Sequence, residues 1–291
     1  MQDFQNYILG AWGKGEGTET KLYNAINGDL LGVVSSAGID YEAVLTYGRD
    51  VGGPALRKMT FQERGRMLKA LAFYLLEKKA KYYKVSAWTG ATKVDSWIDI
   101  EGGIGNLFAN ASLRKQFPDL PYYIDGVAAP LSKGGSFIGH HIMVPKEGVA
   151  IHINAFNFPI WGMLEKIAVN LMAGVPAIVK PSEYTCYLTE VMVKDIIASQ
   201  ILPEGALQLV CGLGRGIIDH VDARDTVTFT GSAATGKILK GLPHITDRSV
   251  AFNLEADSLN ASILGEHATP DTEEFDLFVK ECVKEITIKA G

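Results

Sequence analysis

Five short segments hold the residue types from which a ligand site or reaction centre is built. They are Asn154-Ala155-Phe156-Asn157-Phe158-Pro159, Lys180-Pro181-Ser182-Glu183, Cys211-Gly212-Leu213-Gly214, Thr230-Gly231-Ser232 and Asn253-Leu254-Glu255-Ala256-Asp257-Ser258. The stretch Phe229-Thr230-Gly231-Ser232-Ala233-Ala234-Thr235-Gly236 follows a strand-like run and opens a helical one. Its free backbone N–H groups and the positive end of a helix dipole suit a pyrophosphate. The plainer reading is a glycine that only makes the turn. Read alone, the N-F-P turn is structural and a glutamate after a strand is solvated or caps a helix. The three cysteines, Cys186, Cys211 and Cys282, show no C-x-x-C spacing, so reduced, mostly buried thiols are expected rather than disulfides or a zinc site. Among the histidines only His140 and His141 are adjacent, and neighbours on an extended segment point to opposite faces. No metal site is expected.

The elements that must position these segments are legible after Gly148. Strand candidates are residues 149–153, 177–179, 207–210 and 226–229, with helices around Leu164 to Met172, Leu188 to Ser199 and Gly216 to Val221. Strand and helix in alternation predict an α/β fold with a doubly wound, Rossmann-like parallel sheet. Ligands then lie at the carboxyl ends of the strands, where the five segments fall. Upstream, the first fifty or so residues read as loop and strand wrapping the main domain. Thr60-Phe61-Gln62-Glu63 is a capping box, and Met67, Leu68, Leu71, Leu75 and Leu76 continue at helical spacing, predicting a long helix to about Lys84. A second helical stretch near Asp95 to Ser112 contains Gly102, Gly103 and Gly105, read as close-packing positions. Residues 118–145 read as an inserted β-hairpin around Ser132-Lys133-Gly134-Gly135. With little apolar area of its own to bury, it needs another surface, a partner subunit being one candidate. A last helix from about Asp271 carries Phe275, Phe278, Val279, Cys282, Val283 and Ile286 on one stripe, where a thiol is an inert hydrophobe.

Composition bounds the function classes. With 291 residues, 47% of them hydrophobic, the chain can bury a sizeable core. A net charge of -5 leaves no basic surplus for a nucleic-acid backbone. No apolar run is long enough for a membrane span and the start lacks a secretion signal, so the cytoplasm is the default location.

In this order the segments closely resemble the aldehyde dehydrogenase superfamily, over most of the chain. The resemblance implies NADP or NAD as cofactor and catalytic roles for two residues: the Asn157 amide donates to the oxyanion formed when a thiolate adds to an aldehyde, and Glu255 is the general base. It implies that Lys180 to Glu183 contact the adenosine ribose and that Phe229 to Ser232 lie at the pyrophosphate. The cofactor-binding set is Ile153, Phe156, Lys180, Ser182, Glu183, Gly212, Gly231 and Ser232. A positioned donor aimed at a developing oxyanion contributes on the order of 3 kcal/mol, and a glutamate whose pKa is raised by partial burial can deprotonate water. Two departures, Ala155-Phe156 before Asn157 and Ala256-Asp257 after Glu255, point to a smaller branch that acts on CoA-linked semialdehydes of aromatic degradation. It includes the dehydrogenase portion of the phenylacetate-degradation bifunctional protein, whose further C-terminal hotdog-type domain is an oxepin-CoA hydrolase, and dehydroadipyl-CoA semialdehyde dehydrogenases. The same resemblance places the nucleophilic cysteine a few residues beyond Gly291, so residues 1–291 alone are expected not to turn over aldehyde. The implied domains are 1–117 with 146–256 for the dinucleotide, 118–145 as an oligomerisation hairpin for a homo-oligomer, and 257–291 as the start of a catalytic domain. The alternative from another class is a non-catalytic nucleotide-binding or assembly module.

Overall fold

In the computed structural model, which describes residues 2–257 and 261–288, the chain begins with five short strands. These are β1 (Gln2–Asp3), β2 (Asn6–Ile8), β3 (Ala11–Gly13), β4 (Thr20–Tyr23) and β5 (Leu30–Val34). Strands β1, β5 and β4 form a small sheet, while β2 and β3 extend the main sheet as an antiparallel edge. The expected strand and loop character gives way at residue 41 to helix: α1 (Tyr41–Tyr47), a π-helical turn (Gly48–Gly52) and α2 (Gly53–Lys58). Gly52, Gly53 and Pro54 hide this helix from a propensity reading, yet Gly52 is required, because a side chain there would overlap the Gly205 carbonyl. Arg49 ties this arm to the main sheet through the fully buried Asp225, whose Oδ1 also accepts from the Val149 N–H at 2.9 Å.

The capping box forms at the start of α3 (Phe61–Glu77): Thr60 accepts from the Glu63 N–H and Glu63 accepts from the Thr60 N–H. The single helix expected to Lys84 is broken at Lys78, beyond which α4 (Lys79–Ser86) begins. From there Lys81 and Tyr82 both reach the Asp195 carboxylate at 2.9 Å. The next helical path is continuous as expected: α5 (Lys93–Trp97), a π-helical turn (Ile98–Gly102) and α6 (Gly103–Ser112). A methyl at Gly102 would overlap the Trp161 ring. The hairpin pairs β6 (Tyr123–Pro130) with β7 (Ile138–Met143) as a separate two-stranded sheet, with Val127, Phe137, Ile138 and Ile142 exposed.

The alternating half follows: β8 (Ala150–Ile153), α7 (Pro159–Met172), β9 (Ala177–Lys180), α8 (Cys186–Ala198), β10 (Leu207–Leu209), β11 (Thr226–Gly231), α9 (Ala233–Lys240), α10 (Pro243–Thr246), β12 (Ala251–Ala256) and α11 (Glu273–Thr287). Strand order is β12-β11-β8-β9-β10-β2-β3, with the five strands from β12 to β10 parallel. The chain runs outward from β8 to β10, then returns to β11 on the other side, so the topological switch lies between β8 and β11. The helix expected at 216–221 is only a 3-10 turn, Ile217–His220. Gly214 and Gly216, with φ of +63° and +91°, commit the backbone to left-handed turns there. Helices α3, α6, α7 and α8 cover one face of the sheet over a core that includes Leu68, Leu107, Leu164 and Ile167. Tyr41, Val44, Ile217 and Ile245 close the other. Cys186 and Cys211 are buried, whereas α11 buries none of its residues and leaves Cys282 half-exposed, so the inert stripe expected there faces outward. Among the described residues no helix is long and apolar enough to cross a membrane.

At the centre of the sheet, buried His152 joins three elements. Asn170 gives its Nδ2–H to the Val175 carbonyl at 2.6 Å, so its Oδ1 accepts from His152 Nε2–H, and His152 Nδ1 accepts from the Thr228 hydroxyl, each at 2.7 Å. Burial lowers the His152 pKa from 6.5 to about 4. The unfolded chain therefore binds a proton that the folded chain refuses between those values, and stability drops as pH falls from 6.5 to 4. The expected loss is about 3 kcal/mol. Urea unfolding of wild type and His152→Gln across pH 4.5–7.5 should show the wild type losing stability relative to the variant as pH falls below 6.5; a difference that stays constant with pH would refute it.

Candidate active site

The carboxyl ends of β8, β9 and β11 open into one cleft of about 750 Å³. Of the residues singled out in the sequence, Ile153, Phe156, Asn157, Lys180, Ser182, Glu183, Gly231 and Ser232 line it. Gly212 does not. Its φ is +95° and a side chain there would press on Ser36. The lining glycine of that turn is Gly214, whose N–H donates to Ser36 Oγ at 2.9 Å and whose Cα side faces Lys180: a methyl would stand 2.9 Å from Lys180 Cγ. The absent side chain leaves the lysine stem room to cross the cleft floor. Lys180 is buried to 8% exposure and its Nζ reaches Glu183 Oε2 at 3.3 Å.

On the far side of the switch point Ser232 caps α9 by accepting from the Thr235 N–H at 3.2 Å, and both residues line the cleft. The two glycines of this segment serve packing. A methyl at Gly231 would come within 2.6 Å of the Phe229 ring, and one at Gly236 would overlap Leu254 of β12, so α9 lies close on the sheet. The Asp257 carboxylate accepts from the Ala233 N–H at 3.3 Å, an anion of the chain's own at this helix end.

A second pocket of about 420 Å³ adjoins the cleft, sharing Ala155, Asn157 and Thr230 with it. Asn157 is thus common to both, and Glu255 stands in the smaller one. Parallel register sets Glu255 opposite Thr230, whose hydroxyl donates to Glu255 Oε2 at 3.1 Å. The Glu255 side chain is exposed, because β12 is the sheet's edge.

Sequence reasoning missed Trp161, Glu165 and Lys166, which line this pocket from α7. The Trp161 indole donates to Glu165 Oε2 at 2.8 Å, and Lys166 Nζ reaches Glu165 Oε1 at 3.3 Å. None of them was singled out in the sequence; their closeness to the N-F-P turn was the one available signal. The Asn157 turn itself is held from both sides. Thr185 Oγ1 donates to the Phe156 carbonyl at 3.0 Å, and Asp99 Oδ1 accepts from the Ile160 and Trp161 N–H groups at 3.0 and 2.7 Å. Asn157, Lys180 and Gly231 therefore share one crevice, and Asn157 links it to Glu255. An arrangement of this kind can hold a dinucleotide across the switch point and bring a donor amide and a carboxylate to a carbonyl group beside it.

Comparison with known proteins shows the family. The sequence profile of the aldehyde dehydrogenase family matches residues 12–291. A 3,4-dehydroadipyl-CoA semialdehyde dehydrogenase from Aromatoleum evansii is 43% identical over 287 residues, spanning 98% of this chain and 56% of that protein. A 2-hydroxymuconic semialdehyde dehydrogenase from Pseudomonas sp. (strain CF600) is 27% identical over 263 residues, spanning 87% and 52%. Among solved structures, an aldehyde dehydrogenase from Bacillus cereus in complex with NAD+ superposes with a TM-score of 0.81 at 22% identity, over 99% of this chain and 57% of that one. The chain spans about half the length of the curated relatives it matches.

Proposed function

The chain belongs to the aldehyde dehydrogenase family, and from that premise we propose that it carries the nucleotide-binding part of an NADP- or NAD-dependent enzyme. The reaction is oxidation of an aldehyde, of the CoA-linked semialdehyde class, to the acid through a cysteine thioester. The observation that carries the reading is the single crevice at the switch point, into which β8, β9 and β11 deliver Asn157, Lys180 and Gly231, with Glu255 in the adjoining pocket. A thiolate adds to the aldehyde carbon, and the Asn157 amide donates to the oxygen as it takes up negative charge. The bound nicotinamide supplies the hydride acceptor. Glu255, oriented by Thr230, then takes a proton from the water that cleaves the thioester. Lys180, Ser182 and Glu183 would hold the adenosine ribose, and Gly231 and Ser232 the pyrophosphate. Cys186 and Cys211 are buried away from the Asn157 pocket, so neither supplies the thiolate. In this reading residues 1–117 with 146–256 form the dinucleotide unit and 257–291 begin a catalytic unit. The exposed apolar residues of the 118–145 hairpin are its oligomer surface.

The test is titration of the chain with NAD and with NADP, followed by fluorescence of its four tryptophans, of which Trp161 lines the pocket beside Asn157. Saturable quenching by either nucleotide is expected, and its absence with both would end the reading. A carboxylate at Glu183 accepts from a free ribose 2′-hydroxyl and repels a 2′-phosphate. Glu183→Gln should therefore move the ratio of the two dissociation constants toward NADP by about tenfold, close to 1.4 kcal/mol. An unchanged ratio would remove Glu183 from the ribose site.

A further inference from the structure

Helix α7 starts two residues after Asn157, and nothing adjacent caps it. Phe158 offers no hydrogen-bonding side chain and Pro159 has no N–H, so the first free donors of the helix are the Ile160 and Trp161 N–H groups. Both are taken by one oxygen of Asp99, which stands on the π-helical turn Ile98–Gly102. A carboxylate at a helix N-terminus satisfies orphan donors and complements the dipole, but this one comes from a distant part of the chain and is buried to 4% exposure. The end of this π-helical turn and the start of α6 abut Trp161, as Gly102 and Gly103 have no room for a side chain against its ring and backbone. A small cavity of about 100 Å³ touches Asp99, Phe156, Asn157 and Thr185 together. The Asn157 turn is thus suspended between Thr185, which holds the Phe156 carbonyl, and Asp99, which holds the helix it runs into.

We propose that Asp99 is a positioning residue for Asn157, setting through the start of α7 the direction in which that amide enters the pocket. The proposal builds on the oxyanion-donor reading of Asn157 only for its functional meaning; the mechanical coupling stands apart from it. Desolvation raises the Asp99 pKa to about 7 against the lowering effect of the two N–H donors, so the cap changes charge near neutrality. The neighbouring elements bring few other titratable groups to bear. On α4, Lys79 and Tyr83 are bound to Glu101, and Lys81 and Tyr82 to Asp195, while Lys84 is exposed. On α7, Glu165 pairs with Lys166. Helix α6 carries none, and on α5 Lys93 is exposed while Asp95, bonded to Thr92, shares the cavity.

The experiment is an NMR titration of this chain from pH 5.5 to 8.5, without aldehyde or nucleotide. The expected result is that the Asn157 side-chain amide resonances move with the Ile160 and Trp161 backbone amides along one curve with its midpoint near 7. In Asp99→Asn, which keeps an acceptor in place, that curve should vanish while the Asn157 resonances stay close to their wild-type low-pH positions. Asp99→Ala should displace them, with those of Asn170 at the far end of α7 as the folding control. Asn157 resonances that do not titrate, or that titrate unchanged in Asp99→Asn, overturn the proposal whether or not the alanine variant folds. Because no turnover is measured, this outcome leaves the oxyanion role of Asn157 to be judged separately by its own substitution.

Discussion

Glu255→Gln is expected to lower steady-state aldehyde oxidation by about 10²- to 10⁴-fold, the range for removing a general base, in a polypeptide that includes the nucleophile. Hydride transfer precedes the water step, so one equivalent of reduced nicotinamide should still be formed rapidly before turnover stalls. The geometric warrant is parallel register, which fixes Glu255 opposite Thr230 in the pocket that also holds Asn157. Glutamine keeps the acceptor for the Thr230 hydroxyl and removes only the proton-accepting carboxylate. Rapid-mixing absorbance of the reduced nicotinamide separates the two phases. If the initial phase and the steady state fell together, Glu255 would be serving an earlier step; if neither changed, the base would lie elsewhere.

Asn157→Ala should act on both phases. Removing one preorganised donor from a developing oxyanion costs about 10²- to 10³-fold in kcat, and it does so at the addition step, so the rapid phase itself slows. KM for the aldehyde should change little, since the oxygen carries full negative charge only in the tetrahedral state. Nucleotide affinity, measured on the chain by fluorescence, should stay within about threefold, roughly 0.6 kcal/mol. A large rise in KM with kcat preserved would mean that Asn157 binds the ground-state substrate.

How much of this was legible in the sequence depended on whether a residue's partner was local. The alternation from Gly148 onward predicted the parallel sheet because each buried strand is a short apolar run and each crossover begins with turn residues. The capping box at Thr60 was read correctly because both of its hydrogen bonds lie within one turn. Lys180, Ser182, Gly231 and Ser232 fall at strand ends, where position alone aims them at the cleft. What escaped was set by distant contacts. Helix 41–58 contains Gly52, kept for the Gly205 backbone, and the helix read to Lys84 breaks at Lys78, after which Lys81 and Tyr82 bind Asp195. Gly212 and Gly214 are alike in sequence and differ only in what they face, Ser36 or Lys180. Whether Glu255 is buried depends on what covers strand β12, which no local pattern encodes. Asp99 had no local signal at all, since its partners are 61 and 62 residues away.

Helix α7 is held at both ends by different parts of the molecule: Asp99 at its start, and near its finish Asn170, which grips the His152 ring of β8. Its fourteen residues at 1.5 Å rise make a strut about 21 Å long. Because the strut is pinned to the strand that floors the nucleotide cleft, the amide at its tip is not free to travel independently of that floor. Any closing motion around a substrate must therefore be made by whatever approaches from the opposite side, with the Asn157 end serving as the fixed jaw.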